Sequence, residues 1–195
     1  MNRQPDHHYI RKTLKGDTNA FGVLIDRYQN LVFTVVLRVV KVKEEAEEVS
    51  QDTFLKAFES LDKFRGESKF SSWLYSIAYR KALDRVRKNS RMKPVELIED
   101  ITEKNVEDID NALHFLEQKE RNATIQKCIE QLPEMEAAII TFYYFEDLSV
   151  REISDITDLT EDNVKVKLHR SRKKLFSLLK QFILPEISNS NGRAI

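Results

Sequence analysis

Residues 148–175 read LSVREISDITDLTEDNVKVKLHRSRKKL, and this stretch decides the fold of the chain. Ser149 followed by Glu152 has the spacing of a capping box, which predicts the start of a helix. Thr160 can cap a second helix, because two acids follow it in a first turn where the helix dipole favours negative charge. A short turn around Asp158 separates the two helices, so the stretch predicts a helix-turn-helix.

The second predicted helix is apolar on one side and basic on the other. Val164, Leu168 and Leu175 recur at helical spacing and are expected to face the core. Six cations are left for the outer face: Lys165, Lys167, Arg170, Arg172, Lys173 and Lys174. Such a helix fits the DNA major groove, where cations reach phosphates and guanine edges. Ordinary solvated lysines are the alternative, but the caps, the short turn and the one-sided charge together favour DNA binding.

Composition favours an all-helical protein of a reducing compartment. The chain has 195 residues, 33% charged and 41% hydrophobic, which suits one or two small domains with real cores. Four glycines and four prolines are few for a turn-rich β protein. Cys128 is the only cysteine, so no disulfide framework can form within the chain, as in a reducing cytosol.

Neither a signal peptide nor a membrane span is expected. The N-terminus is polar and lacks the apolar core of a signal peptide. The longest apolar run, residues 31–40, is interrupted by Thr34 and Arg38 and is shorter than the ~20 residues of a span. Formal net charge is +0, but charge is segregated along the chain, and its local sign is the more informative quantity.

The first block, from about residue 6 to 91, is predicted to be helical. Asp17 or Thr18 can cap a helix. The run LVFTVVLRVV is interpreted as a buried helix rather than a strand, because no second strand or hairpin turn lies nearby. An acidic helix follows, then the loop LDKFRGES with Gly66 as its breaker, then a helix with a strongly basic end.

The remaining chain divides into a linker and a second helical block. Residues 89–117 contain Pro94 and many acids and have too few large apolar residues to hold a core. The block from about residue 114 to 184 is again helical, with a break at Leu132 and Pro133, and ends in the helix-turn-helix. The last residues, 187–195, indicate a frayed tail.

These segments together resemble an extracytoplasmic-function (ECF) sigma factor of bacterial RNA polymerase, the smallest branch of the sigma-70 family. The resemblance is carried by AEEVSQDTFLKAF, then LDKFRGESKFSSWLYSIAYRKALDRVRK, then the helix-turn-helix, in that order. It implies an all-α fold of two small helical domains joined by a flexible acidic linker. Sigma domain two would span 1–91, the linker 92–117, a winged-helix-like sigma domain four 118–184, and a tail 185–195.

The resemblance also implies function and partners. The expected protein binds core RNA polymerase at its clamp and flap regions, recognises −35 and −10 promoter elements and promotes DNA opening. Further expected partners are promoter DNA and an anti-sigma factor. The location would be cytoplasmic, or at the membrane through that anti-sigma factor, without direct membrane insertion. The linker would thread toward the RNA channel of the polymerase, or else serve only as an entropic tether.

Three surfaces follow from the resemblance. Binding of the core polymerase is assigned to the acidic residues and glutamine of one helix face: Glu45, Glu48, Gln51 and Asp52. Reading and melting of the −10 element are assigned to the loop and the helix after it: Phe64, Arg65, Gly66, Ser68, Lys69, Arg80, Lys81, Arg85, Arg87 and Lys88. Contact with the −35 element is assigned to the second helix of the helix-turn-helix and its cap: Thr160, Asn163, Lys165, Lys167, His169, Arg170, Arg172 and Lys173.

Physical chemistry supports these assignments but leaves alternatives open. Holding an unstacked base requires aromatic faces, a flexible loop and nearby cations. Trp73, beside Leu74 and Ile77, is nevertheless expected in the core rather than as a stacking platform, and Phe64 can equally be a loop anchor. The acidic face could also be simply solvated.

At three positions the chain departs from the family pattern. Arg80 stands where asparagine is common, which leaves the preferred −10 bases open. Asp158 stands where glycine is frequent, but aspartate tolerates a left-handed backbone. Val166 replaces a small polar residue and could touch a thymine methyl group or pack against other helices.

No catalytic, cofactor or metal site is expected. The chain has no Walker-type phosphate loop and no dinucleotide glycine fingerprint. The four histidines and Cys128 are scattered without metal-binding spacing. Two other classes are weighed. A helix-turn-helix regulator would need a ligand or phosphorylation domain, and an adaptor that binds only proteins would leave the basic helix unexplained.

Overall fold

The computed structural model describes residues 4–90 and 118–190, so most of the predicted linker lies outside the described residues. These residues form eight α-helices and one 3-10 turn, and no strand occurs among them. The helices of the first half are α1 Asp6–Leu14, α2 Thr18–Val40, α3 Lys43–Glu59 and α4 Phe70–Ser90. Those of the second half are α5 Gln118–Glu130, α6 Glu134–Tyr144, α7 Val150–Thr157 and α8 Glu161–Ser190. The all-α expectation is confirmed.

Helix α2 is the centre of the packing. Asp17 caps its start by accepting a hydrogen bond from the Ala20 N–H, and its end is marked by Lys41 in the left-handed conformation with φ 62°. Leu24, Val32 and other apolar residues of its length are fully buried. It packs against α1, α3 and α4 of its own half and against α6 of the other half. The run LVFTVVLRVV is therefore a buried helix, as predicted.

By length and composition, α2 alone among the described helices could also cross a membrane. The apolar run at residues 31–40 is by itself too short for a membrane span, but further apolar residues precede it within α2. Four other helices pack on α2, as expected of a core helix. It also carries three charged residues, Asp26, Arg27 and Arg38, which a membrane span would disfavour.

Helices α3 and α4 complete the first half. The predicted apolar face of α3 is confirmed, since Ala46, Val49 and Ala57 are buried. On α4, Leu74 and Ala78 are buried as predicted. Trp73 is partly buried and packs against this core. The 3-10 turn Leu61–Lys63 joins the two helices and leads into the exposed loop.

The second half follows the predicted breaks. Helix α5 ends before Leu132 and Pro133, and α6 begins directly after them. Cys128 is buried against Leu179, and burial raises the pKa of its thiol to about 11. It therefore behaves as a small apolar residue, as expected. Helix α8 continues through Ser190, which corrects the expectation of a frayed tail from residue 187.

The helix-turn-helix has the predicted local structure. The Ser149 side chain accepts from the Glu152 N–H while the Glu152 carboxylate accepts from the Ser149 N–H, which completes the capping box. Asp158 ends α7 in the left-handed conformation with φ 58°. The Asn163 N–H donates to Thr160 Oγ1 at 3.3 Å at the start of α8. Val164 is buried on the inner face of α8.

The two halves pack directly on each other along what we call the seam, the contacts of α2 and α4 with α5, α6 and α7. Tyr75 and Tyr79 of α4 lie against Phe142 of α6, with ring centroids 5.9 and 6.1 Å apart. The Tyr75 hydroxyl donates to the Glu146 carboxylate at 2.7 Å. Lys41 Nζ donates to the Leu132 carbonyl at 2.7 Å. Buried apolar residues from both halves therefore form one continuous cluster.

The seam also contains buried polar groups, and burial changes the pKa of two of them. Burial lowers the pKa of Arg38, which lies 3.8 Å from Glu130. Burial raises the pKa of Glu146 even though Tyr75 donates to it. The Tyr79 hydroxyl, among the described side chains, is a buried polar atom without a partner. An unsatisfied buried group of this kind costs about 1–3 kcal/mol.

The capping box provides a test of the local structure. Replacing Ser149 by alanine removes the acceptor of the cap, and we expect it to lower the free energy of unfolding by about 1 kcal/mol. The backbone hydrogen bond from Ser149 is the main cause that lowers the pKa of Glu152 below its ordinary value of 4.5. The contribution of this carboxylate is therefore present above pH 4.5 and lost as pH falls through its lowered folded-state pKa.

Urea denaturation of both proteins across that acidic range measures the difference. Ser149→Thr keeps the hydroxyl and serves as the control, which should retain most of the stability. Equal stability of the alanine variant and the parent protein at neutral pH would contradict the role of the cap.

Candidate nucleic-acid interface

The loop between α3 and α4 is held by an aromatic cluster of Phe64, Phe70 and Trp73. The ring centroid of Phe64 lies 5.6 Å from that of Phe70 and 5.3 Å from that of Trp73. Phe64 is half-buried and packs against the core, so it anchors the loop. Beyond it, Arg65 and Gly66 are exposed, and Gly66 has φ 75°, where glycine is favoured.

We call the loop residues 64–69 together with the cationic face of α4 the −10 surface, after the role that the sequence predicts for it. On one side it meets the acidic face of α3. Arg85 lies 2.8 Å from Glu48, and Lys81 lies 3.8 Å from Asp52. The hydrogen bond from Arg85 is the main cause that lowers the pKa of Glu48. The residues assigned to polymerase and those assigned to DNA are therefore paired with each other.

On its other side the −10 surface meets the helix-turn-helix. Lys69 Nζ lies 3.1 Å from Glu152 Oε1, and the Ser72 hydroxyl donates to the same oxygen at 3.5 Å. Arg80 Nη2 lies 3.2 Å from the carboxylate of Asp158. Sequence reasoning assigned two of these cations to DNA but missed the acids, because the contacts join residues about eighty positions apart.

A groove of ≈ 470 Å³ lies between the −10 surface and α7. Trp73 and Ile77 form its apolar lining, and Arg80 lies at its edge with other polar side chains. Glu152 and Asp155 of α7 form the opposite wall. Its size is within the range of small-ligand pockets. Ser72 and Ser76 also line it and were not predicted, although small polar residues one turn apart beside Trp73 and Ile77 were the available signal.

The other residues predicted to contact the −10 element or polymerase lie on the same loop and helices, but they do not all point to one site. Ser68 is exposed on the loop, and its hydroxyl donates to the Lys69 carbonyl at 3.4 Å. Arg87 lies 3.5 Å from Asp84 on the same helix. Lys88 is exposed near the end of α4, and Gln51 is exposed on α3. Asn89, which was not predicted, donates to Glu45 at 2.9 Å and extends the pairing of α3 with α4.

Helix α8 presents an outward face opposite its buried residues. With about 100° per residue, Lys165, Val166, His169 and Arg170 lie on the side away from Val164. All four are exposed, and Val166 is 48% exposed, so it is not part of the core. Thr160 and Asn163 are exposed at the start of this helix. The structure therefore brings five predicted −35 residues, together with Val166, to one accessible end and face.

The remaining −35 candidates lie to the sides of this face. Lys167 is only partly exposed, and its carbonyl accepts from the buried Ser171 hydroxyl. Lys173 is also partly exposed. The Arg172 guanidinium lies 5.4 and 5.5 Å from the ring centroids of Tyr143 and Tyr144 on α6. Arg172 is exposed, and this cation–π arrangement directs its guanidinium toward α6 of its own domain.

Within the described residues, no group of three or more His, Cys, Asp or Glu side chains is arranged to hold a metal. Cations, hydroxyls and aromatic rings line this interface, and such groups suit a polyanion and its bases.

Comparison with known proteins gives the same two regions. Residues 24–92 match the family Sigma-70 region 2, and residues 122–175 match Sigma-70, region 4. The chain is 30% identical over 192 residues to the RNA polymerase sigma-H factor of Pseudomonas aeruginosa, covering 94% of this chain and 98% of that protein. It is 32% identical over 175 residues to the ECF RNA polymerase sigma factor SigW of Bacillus subtilis, covering 85% and 92%.

Solved structures show the same fold. CnrH in complex with the cytosolic domain of CnrY has a TM-score of 0.59 at 21% identity, covering 90% of this chain and 97% of that chain. RpoE of Bartonella quintana in complex with the anti-sigma factor NepR has a TM-score of 0.58 at 19% identity, covering 82% and 96%. The chain therefore belongs to the ECF subfamily of sigma-70 RNA polymerase sigma factors, and its function is promoter recognition in transcription.

The loop anchor can be tested with the single tryptophan of the chain. Replacing Phe64 by alanine removes a ring that covers Trp73, so we expect Trp73 fluorescence to shift to longer wavelengths and to become more accessible to acrylamide. The change should also cost stability, because a pair of aromatic rings contributes about 0.5–1.5 kcal/mol beyond its buried area.

The matched control is Phe58→Ala, which removes an exposed phenylalanine that contacts Phe21 instead. This control should leave the fluorescence of Trp73 as it is. The same spectrum for the Phe64 variant and the parent protein would show that Phe64 does not anchor the loop.

Proposed function

We propose that this sigma factor uses three surfaces: the acidic face of α3 for core RNA polymerase, the −10 surface for promoter melting, and the outward face of α8 for the −35 element. The observation that carries the proposal is the outward face of α8. Its cations and one exposed valine project from a capped, well-packed helix. Domain two would span residues 1–91, the linker 92–117 and domain four 118–184.

At the −35 element, the outward face of α8 would enter the major groove. Arg170 and Lys165 can donate to guanine edges or phosphates. Val166 offers an apolar group of the kind that contacts a thymine methyl. Thr160 and Asn163, at the start of the helix, can add phosphate or base contacts, because backbone N–H groups and the positive end of the helix dipole lie there.

At the −10 element, the loop and α4 would hold the separating strands. The cations Lys69, Arg80 and Arg85 can follow the backbone of a single strand. The groove lined by Trp73 and Ile77 has the size and polarity to receive an unstacked base. The aromatic anchor keeps the loop in place while its tip remains exposed, and this supports the proposed capture.

Binding to the core polymerase would use Glu45, Glu48, Gln51 and Asp52 against the clamp. The side chains of Glu48 and Asp52 are 62% and 54% exposed, so a partner can reach them despite their pairing with α4. Contact with the flap is assigned to the second half. The phosphodiester chemistry would belong to the polymerase, and this chain would carry out no catalysis and require no cofactor.

An anti-sigma factor is proposed as the further partner. The sigma factor RpoE, which has the same fold, has been solved with the anti-sigma factor NepR bound, and CnrH, of the same fold, with the cytosolic domain of CnrY. The proposed location is the cytoplasm, or the inner face of the membrane when an anti-sigma factor is anchored there.

Two arginines of α8 provide a test of the −35 assignment. Arg170 lies on the outward face, whereas Arg172 is held against Tyr143 and Tyr144. We expect Arg170→Ala to weaken binding to duplex DNA and to reduce the slope of log K against log salt by about 0.9 for one lost phosphate contact. Arg172→Ala should leave this slope unchanged. Fluorescence anisotropy at several salt concentrations measures both, and equal slopes for the two variants would contradict the assignment.

The polymerase surface requires a control for the internal ion pairs. Glu48→Lys with Asp52→Lys should lower affinity for sigma-free core polymerase at least about tenfold, because like charges opposed across an interface cost several kcal/mol. The same substitutions break the pairs with Arg85 and Lys81. Arg85→Gln with Lys81→Gln breaks these pairs and keeps both acids.

Titration of labelled core polymerase separates the two causes. If the acids contact the clamp, the lysine variant loses affinity and the glutamine variant retains it. Equal loss in both variants would show that only the internal pairs matter, and full binding by both would remove α3 from the interface.

A further inference from the structure

Helix α1 is attached to α2 through one carboxylate. Asp6, the first residue of α1, accepts from Arg27 at Oδ1 and from the Tyr28 hydroxyl at Oδ2, the latter at 2.6 Å. Arg27 also donates to the Gln4 carbonyl at 3.0 Å, and its guanidinium carbon lies 5.5 Å from the ring centroid of Tyr9. We call Asp6, Arg27 and Tyr28 the Asp6 cluster, to which the sequence gave no role.

The Asp6 cluster is largely shielded from water. The side chains of Asp6 and Arg27 are only 24% and 17% exposed, so their pairing is screened less than that of a surface ion pair. Burial, and then the hydrogen bond to Asp6, raise the pKa of Tyr28, so its hydroxyl stays protonated and continues to donate at neutral pH. The Tyr28 ring is therefore fixed by its backbone at one end and by a carboxylate at the other.

Tyr28 extends this fixed arrangement to the chain that follows the loop of residues 64–69. Its ring centroid lies 5.7 Å from that of Phe70, which is buried and begins α4 directly after the loop. Phe70 in turn lies 5.6 Å from Phe64 and 5.7 Å from Trp73. Tyr28 therefore adds a fourth ring to the aromatic cluster that anchors the loop.

Helix α1 also contacts the chain that precedes the loop. It packs against the 3-10 turn Leu61–Lys63, which ends at the residue before Phe64. Ile10 of α1 and Leu61 of the turn are both buried in the same core. One helix therefore supports the start of the loop directly and its end through Tyr28.

We propose that α1 is the positioning element of the loop: the Asp6 carboxylate fixes Tyr28, Tyr28 supports Phe70, and the aromatic cluster then holds the loop in the arrangement that receives a single strand. Asp6 and Tyr28 are thus positioning residues that act through other side chains rather than on DNA. Asp6 precedes residues 24–92, which match Sigma-70 region 2. The proposal rests on the −10 assignment made above.

The physical reason is that a binding site depends on the groups that hold its contacting residues in place. The tip of the loop, at Arg65 and Gly66, is exposed, whereas Phe64 beside it is half-buried and carries the anchoring contacts. Contacts between aromatic rings depend on their relative orientation. Freeing the Tyr28 ring to rotate should therefore loosen the anchor and, through it, the tip.

The test uses substitutions that each remove one hydroxyl and keep the shape of the side chain. Tyr28→Phe removes the bond to Asp6 and keeps the ring against Phe70. The matched control is Thr13→Val on α1, which removes a hydroxyl that donates to the Tyr9 carbonyl at 2.9 Å. Asp6→Ala is the stronger variant, since it removes both bonds of the carboxylate.

The state of Trp73, the single tryptophan, is the first readout, measured on the full-length chain at a temperature where circular dichroism shows every variant folded. We expect Tyr28→Phe and Asp6→Ala to shift its emission to longer wavelengths and to increase its quenching by acrylamide. Thr13→Val should match the parent protein. Equal quenching in Tyr28→Phe and Thr13→Val would overturn the proposal.

A double variant tests whether Asp6 acts through Tyr28. Both substitutions break the same hydrogen bond, so Asp6→Ala with Tyr28→Phe should be quenched as strongly as Asp6→Ala alone. This equality supports the order of contacts given above. A further increase in the double variant would show that the two residues act on the loop separately, which contradicts the proposal.

Binding of a single strand is the second readout, measured on holoenzyme assembled from each variant and sigma-free core polymerase. Anisotropy of a short fluorescein-labelled oligothymidylate reports the affinity, and core polymerase alone gives the baseline. We expect the Tyr28→Phe holoenzyme to bind about two- to tenfold more weakly than the Thr13→Val holoenzyme, from the loss of one hydrogen bond.

Arg80→Ala with Arg85→Ala tests the −10 assignment in the same assay. If these substitutions leave oligothymidylate binding at its parent value, the −10 assignment is wrong, and the proposed use of the positioned loop falls with it. If they weaken binding while Tyr28→Phe binds as tightly as Thr13→Val, the −10 assignment stands and the positioning role of α1 alone is wrong.

Discussion

Helix α2 is apolar on nearly every side over its second half, and all of these sides must be kept from water at once. Its own domain supplies α1, α3 and α4, but these leave one side open, and α6 of the other half covers it. Each fully buried valine or leucine contributes about 1.5–3 kcal/mol. The need to cover α2 therefore determines where the second half sits, and this placement brings α7 over the −10 surface.

The cations of α4 lie between two acidic neighbours. On one side α3 offers Glu48 and Asp52, and on the other α7 and the turn after it offer Glu152 and Asp158. Pairs of this exposure are worth little individually. They can thus be exchanged for a partner's charges at small cost.

Local structure could be predicted from the sequence because its causes are local. The caps at Ser149 and Thr160, the left-handed Asp158 and the break at Pro133 each depend on residues within one turn, and all are present as expected. The family resemblance likewise identified both regions, because its motifs are contiguous stretches.

The seam could not be predicted, since it joins residues far apart in the chain and no local pattern records which faces meet. For the same reason the partners of Lys69 and Arg80 were missed. The −35 candidates were chosen by charge, but the phase of α8 separates Arg170 on the outward face from Arg172, whose tyrosine partners lie on another helix. The charge of a residue can be taken directly from the sequence, whereas the direction of its side chain depends on packing.

Glu152 uses its two oxygens for different purposes. Oε2 accepts from the Ser149 backbone and completes the cap, while Oε1 faces Lys69 and Ser72 across the seam. Selection at this codon therefore acts on two traits together: a substitution that loosens the seam also weakens the helix. Asp158 also has two roles, since it pairs with Arg80 and ends α7 in the left-handed conformation. At both positions the residue that contacts the first half also shapes the end of α7, so few substitutions can change that contact alone.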